Sequence, residues 1–120
     1  MSDYRSKFDA LISSYPFAHW QQRGLEQYTP EACAALAAIF DRLVENLVCA
    51  GEDATEQSKL ELLHQTVNEL NALNEENENL IETGEREELC ALVNLITVAC
   101  SLDPSKYGGG EGPASEWREW

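Results

Sequence analysis

The chain of 120 residues carries 22 Asp plus Glu against eight Lys plus Arg, a formal net charge of −14, with 43% hydrophobic and 25% charged residues. That length fits one domain able to bury about two thirds of its unfolded surface, and the apolar share is too high for a disordered polymer. The charge argues against nucleic acid and anionic membranes as partners and in favour of a basic protein surface.

Tyr4, Phe8, Leu11, Ile12 and Tyr15 share a helical face. They predict a helix over residues 3–14, stopped by Pro16 because the residue before a proline is pushed out of the α region. Residues 16–28 read as a packed aromatic loop, with Phe17, Trp20 and Tyr28 placed to cover one end of a helical core. Thr29 followed by Pro30 is an N-cap with proline at the first helical position. The stripe Leu36, Ile39, Phe40, Leu43, Val44, Leu47 and Val48 then runs to Ala50, where Gly51 ends the helix.

Asp53 or Thr55 is expected to cap the next helix, from Glu56 to between Asn77 and Ile81. Its stripe of Leu60, Leu63, Val67 and Leu70 continues into Asn74 and Asn77, so the face starts apolar and turns polar. Thr83 and Gly84, followed by Glu85, Glu87 and Glu88, read as a fresh N-terminus, since first-turn carboxylates are favoured by the helix dipole. The fourth helix runs to about Cys100 on an inner face of Leu89, Leu92, Val93, Ile96 and Cys100, and Asp103 with Pro104 ends it. Residues 105–115 are rich in Gly, Pro and Ser and read as a flexible tail or lid. The closing Glu116, Trp117, Arg118, Glu119 and Trp120 bring two indoles that are expected to fold back on the core or on a partner subunit. The predicted architecture is all-α: a four-helix, mostly antiparallel bundle over residues 1–104, with a Gly-rich C-terminal tail over 105–120.

Cys33, Cys49, Cys90 and Cys100 stand 16, 41 and 10 positions apart, with no Cys-x-x-Cys pair, so no zinc or redox spacing is present. Cys33, Cys90 and Cys100 lie in apolar helical patterns; parity allows two disulfides, and reduced thiols in a cytoplasmic protein are the reading adopted. No signal-length apolar run and no membrane span is seen. Glu61 and His64 make a Glu-x-x-His step, as in di-iron bundles, but a single one, with His19 the other histidine. Glu75-x-x-Glu78 and Glu85-x-x-Glu88 resemble the steps by which all-α nucleotide pyrophosphohydrolases hold magnesium. Here six residues separate the two pairs and no cation cluster holds phosphates. No Gly-rich loop precedes a helix and no nucleophile is set beside a base, so no catalytic residue, metal or cofactor is expected.

The remaining signal is the acidic run. Glu75, Glu76, Glu78, Glu82 and Glu85 form a candidate partner-binding surface, together with His64 and Asn71. A negative patch on a rigid scaffold steers and holds a basic partner, the device by which inhibitors of nucleases and other toxins cover a basic substrate-binding surface. His64, Asn71 and Glu78 lie seven apart and form a polar seam. The seam is either a recognition groove or, the reading preferred, an inter-helix hydrogen-bond network with Arg86 or Arg118.

From Gly24 onward the chain carries His64, Asn71, Leu73, Glu76, Glu78, Ile81-Glu82-Thr83, Arg86-Glu87, a Tyr28-Thr29-Pro30 helix start and an Arg118-Glu119-Trp120 end. In these it resembles a family of small acidic helical bacterial proteins known only as a domain of unknown function. The resemblance implies a helical bundle and supplies no activity; in size and charge such chains are similar in type to immunity proteins. The function expected is therefore a non-enzymatic binding protein engaging a basic partner, of the toxin-neutralising kind. The alternatives are a divalent-metal nucleotide hydrolase using the Glu-x-x-Glu steps, and a structural homodimer.

Overall fold

The structure is a computed structural model that describes residues 3–13, 15–22, 29–76, 81 and 83–120. It is all-helical, with no strand among the described residues. Among the described residues six helices follow in order: α1 Asp3–Ile12, α2 Phe17–Gln22, α3 Pro30–Ala50, α4 Glu56–Glu76, α5 Thr83–Ala99 and α6 Ala114–Trp117. Two 3-10 turns, Pro104–Lys106 and Gly108–Gly110, separate α5 from α6.

The helix boundaries follow from local chemistry. At the start of α3 the Thr29 hydroxyl accepts a hydrogen bond from the Ala32 amide at 3.1 Å, behind Pro30. Gly51 closes α3 at φ 91°, its amide donating to Leu47 O. Thr55 caps α4, accepting from the Ser58 amide at 3.1 Å. α5 ends in a Schellman arrangement: the Ser101 amide donates to Val98 O and the Leu102 amide to Thr97 O. Ser101 takes the left-handed position at φ 70°, where a glycine is usual.

The core is one cluster shared by all six helices. Phe8, Trp20, Leu36, Phe40, Leu43, Leu47, Leu63, Val67, Leu70, Leu89 and Ile96 are fully buried, each contributing about 1.5–3 kcal/mol of transfer free energy against the entropy of ordering it. α3 packs along α4, α1 lies against α5 and α3, and α2 covers α3. Phe17–Gln22 of the aromatic segment forms a helix where a loop is expected, and residues 23–28 lie outside the described residues. Phe17 sits edge-on to Trp20 at 5.1 Å and beside Phe40 at 6.0 Å, which closes one end of the core. Tyr28 lies outside the described residues.

Two buried polar side chains join the elements. Asn74 accepts from the Ile81 amide at 2.7 Å, so the polar end of the α4 stripe holds the entry to α5. Lys59 is 4% exposed, and its ammonium donates to Glu52 O and Cys100 O, each at 2.7 Å. Those carbonyls lie just past the ends of α3 and α5, where the helix dipoles favour a cation.

The C-terminal segment follows a defined path rather than that of a free tail. Gly112, Pro113 and Ala114 are buried, and Trp117 and Trp120 pack against the core of their own chain. Its low apolar content is offset by hydrogen bonds to α4 and α5.

Candidate functional site

The outer face of α4 runs through Glu61, His64, Asn68, Asn71 and Glu75, positions three or four apart. The C-terminal segment lies across the middle of this line. The His64 ring stacks on Trp117 with centroids 4.5 Å apart and planes 17° from parallel. Asn71 acts as a clamp: its Nδ2 donates to Trp117 O at 3.1 Å and its Oδ1 accepts from the Glu119 amide at 2.9 Å. One carboxamide thereby satisfies a donor and an acceptor of a passing chain, as an added strand does.

At Asn71 the polar seam read from the sequence makes intramolecular hydrogen bonds, while its Glu78 lies outside the described residues. The partner of Asn71 is the backbone of residues 117 and 119, where the sequence suggests the Arg86 or Arg118 side chain. His64 and Asn71 hold the C-terminal segment of their own chain.

The acidic run divides. Glu75 and Glu76 are exposed at the end of α4. Glu78 and Glu82 lie outside the described residues. Glu85 is 5% exposed and so cannot belong to an exposed acidic face, because the first turn of α5 packs inward. Glu88 is half-buried, and its carboxylate accepts from the Trp20 indole, which ties α5 to the aromatic end of the core. Neither Glu85 nor Glu88 is therefore displayed as the second Glu-x-x-Glu step would need. Among the described residues no group of three or more His, Cys, Asp or Glu is arranged to hold a metal ion.

The structure adds two acids that the sequence reading leaves aside. Glu116 and Glu119 are exposed on the docked segment, beside His64 and Asn71. The signal for them is present in the sequence, in the alternation of acids with Trp117 and Trp120, since indoles that find a core carry their neighbours with them. Some carboxylates elsewhere are occupied, as Glu45, Glu52 and Glu69 pair with Arg5, Lys7 and Arg42, while Asp9, Glu31, Asp53 and Glu87 are exposed as well. Glu56 accepts from the Tyr107 hydroxyl and Asp41 from Tyr15 at 3.0 Å. Asp103 is held below the usual carboxylate range by hydrogen bonds from the Ser105 hydroxyl and amide.

All four cysteines are free: Cys33 and Cys100 buried, Cys90 half-buried, Cys49 exposed. Burial pushes the Cys100 thiol up to about 11, so it is a neutral core group at ordinary pH. Among the described residues no helix is long and apolar enough to cross a membrane. No family model, no curated protein and no solved structure matches the chain.

Proposed function

We propose that this chain is a non-enzymatic acidic binding protein that engages a basic protein surface. Its face is the outer side of α4 with the segment docked on it: Glu61, Glu75, Glu76, Glu116 and Glu119 around the His64–Trp117 stack. The observation that carries the reading is that these carboxylates are exposed and make no side-chain hydrogen bond or ion pair among the described residues. Acids kept unpaired on a rigid face raise association rates with a cationic partner and contribute specificity, and both effects weaken with salt. Trp117, half-buried and stacked, supplies an apolar anchor of the kind that dominates interface energetics.

The partner of this kind is a basic enzyme such as a secreted or injected toxin, neutralised in the cytoplasm; the free cysteines support that compartment. The spaced residues from His64 to Glu87 and the Arg118-Glu119-Trp120 end support kinship with the small acidic helical bacterial proteins of unknown function. The scaffold is read as a mostly antiparallel four-helix bundle of α1, α3, α4 and α5, supported by the five-residue connection over 51–55. Glu78 and Glu82 extend the same acidic stretch in sequence.

The test is a pull-down from lysate of the source organism with the native chain and with Glu75→Lys/Glu116→Lys/Glu119→Lys. A basic protein held by the native chain at low salt, shed at high salt and not held by the reversed chain is the expected result. Equal retention of that protein by both chains would show that the face is elsewhere.

A further inference from the structure

A second site lies on the other side of the C-terminal segment and is lined by two arginines as well as two acids. The chain has eight cations among 22 acids, and Arg5, Lys7 and Arg42 are each consumed by a carboxylate. Arg86 and Arg118 line one cleft of about 440 Å3 between α5 and residues 111–118, with Glu87, Cys90, Asn94, Glu111 and Ser115. The volume is that of a small-molecule site.

Arg118 is the informative group. One of its terminal nitrogens donates to Trp120 O at 3.0 Å, and its guanidinium lies over the Trp120 ring at 5.8 Å. It forms no ion pair among the described residues, although acids outnumber cations nearly three to one in the chain. Its Nε is buried and has no acceptor there. A buried guanidinium N–H left without an acceptor is costly unless an anion completes it. The stack on Trp120 fixes its plane, which favours a two-point contact with a carboxylate or phosphate.

The walls are set by α5. Cys90 and Asn94 are one turn apart on it, and Arg86 is one turn before Cys90. Asn94 donates to Glu111 O at 3.1 Å and packs so closely on Gly112 that a Cβ there would lie 1.9 Å from its Oδ1. Gly112 has φ +117, so glycine is required twice over, and it lets residues 111–118 come down to form the second wall. Glu87 and Glu111 on the same cleft oppose a second negative charge, so the site suits a single oxyanion group.

We infer that the cleft between α5 and the C-terminal segment binds a small molecule bearing one carboxylate or phosphate group, held by the guanidinium groups of Arg118 and Arg86. The site does not depend on the proposed acidic face, since it lies on α5 and uses cations.

Cys90 reports on the cleft directly. Burial raises its thiol and the two arginines act to lower it, Arg118 the more strongly. An anion seated on the arginines removes that pull and covers the sulfur, so alkylation by neutral iodoacetamide slows. Cys49, exposed on α3, serves as the internal control in the same peptide map. The experiment titrates inorganic phosphate, and separately acetate, at constant ionic strength set with chloride, and follows both thiols by mass spectrometry.

The expected result is saturable protection of Cys90 by at least one of the two anions, three-fold or more, half complete at millimolar concentration, with Cys49 unaffected. Protection by both anions identifies a shared oxyanion site; protection by one identifies its class. Arg118→Gln is expected to weaken protection at least ten-fold, and Lys106→Gln, which removes the same charge elsewhere, to leave it unchanged. Arg86→Gln provides a second arm if Arg118→Gln loses its helical circular dichroism. Absence of protection by both anions, equal slowing at Cys49, or full protection in the folded arginine variant would overturn the inference.

Discussion

Two clefts flank the C-terminal segment, and their polar groups are treated in opposite ways. The first, of about 490 Å3, is lined by Glu56, Lys59, Asp103, Lys106 and Tyr107 among others. There Lys59 is completed by two carbonyls, Tyr107 donates to Glu56, and Asp103 is bonded to Ser105. The second, lined by Arg86 and Arg118, leaves the Arg118 Nε and the Asn94 Oδ1 buried with no partner among the described residues. A cation that finds its acceptors inside the fold is a structural element, and one that does not is available for a ligand. Size alone would favour the larger cleft; satisfaction of its polar groups argues against it.

The largest expected effect is at Gly112, where residues 111–118 meet α5. Gly112→Ala places a side chain at a positive φ and against Asn94, and is expected to cost about 2–4 kcal/mol from strain and overpacking together. Urea unfolding measures it; a loss under about 0.5 kcal/mol would mean that residues 111–118 do not press on α5. Next is Lys59→Ala, which strands the buried Cys100 carbonyl oxygen and the part-buried one of Glu52 and is expected to lose about 1–3 kcal/mol. Arg118→Gln, by contrast, is expected to change stability by less than about 1 kcal/mol, since it removes one hydrogen bond and a partly exposed ring contact. Comparable losses at positions 59 and 118 would erase the distinction between the two clefts.

A pH scan sharpens the same point. The Cys100 thiol, buried behind Lys59, is raised from 9.0 to about 11 by burial, against the opposing pull of Lys59. The unfolded chain therefore releases this proton before the folded one does. The contribution is complete below about pH 9 and declines as pH rises towards 11. Tyr4, raised to about 12 by burial first and then by Cys100 and Glu52, extends the decline upward. Cys100→Ala should flatten the thermal-stability curve between pH 9 and 11 and leave the tyrosine part; an unchanged curve would remove Cys100 as its cause.

What the sequence disclosed and what it hid have a common physical basis. Helix starts and stops are local, so Thr29-Pro30, Gly51 and Thr83-Gly84 mark α3 and α5 as they stand in the structure. The inner face of α5, from Leu89 to Cys100, follows from periodicity alone and is buried throughout. Lys59 carried a signal that was available: it stands four residues before Leu63, on the apolar stripe. The C-terminal segment was not legible, because composition reports only what a stretch can bury by itself. Residues 111–119 are ordered by side chains 17 to 48 positions away, Asn94 and Asn71. The burial of Glu85 was hidden for a similar reason: first-turn acids look alike in sequence whichever way the helix later packs.

Both the acidic face on α4 and the arginine cleft on α5 stand on the docking of residues 111–120, and the Glu119 amide reports it most directly. In the native chain that amide donates to Asn71 Oδ1. Hydrogen exchange followed by NMR should find it protected well above an open chain, and Asn71→Ala should return it to nearly the open-chain rate while amides of α3 stay protected. Open-chain exchange at Glu119 in the native protein would contradict the account, because the segment that builds both sites would not be held.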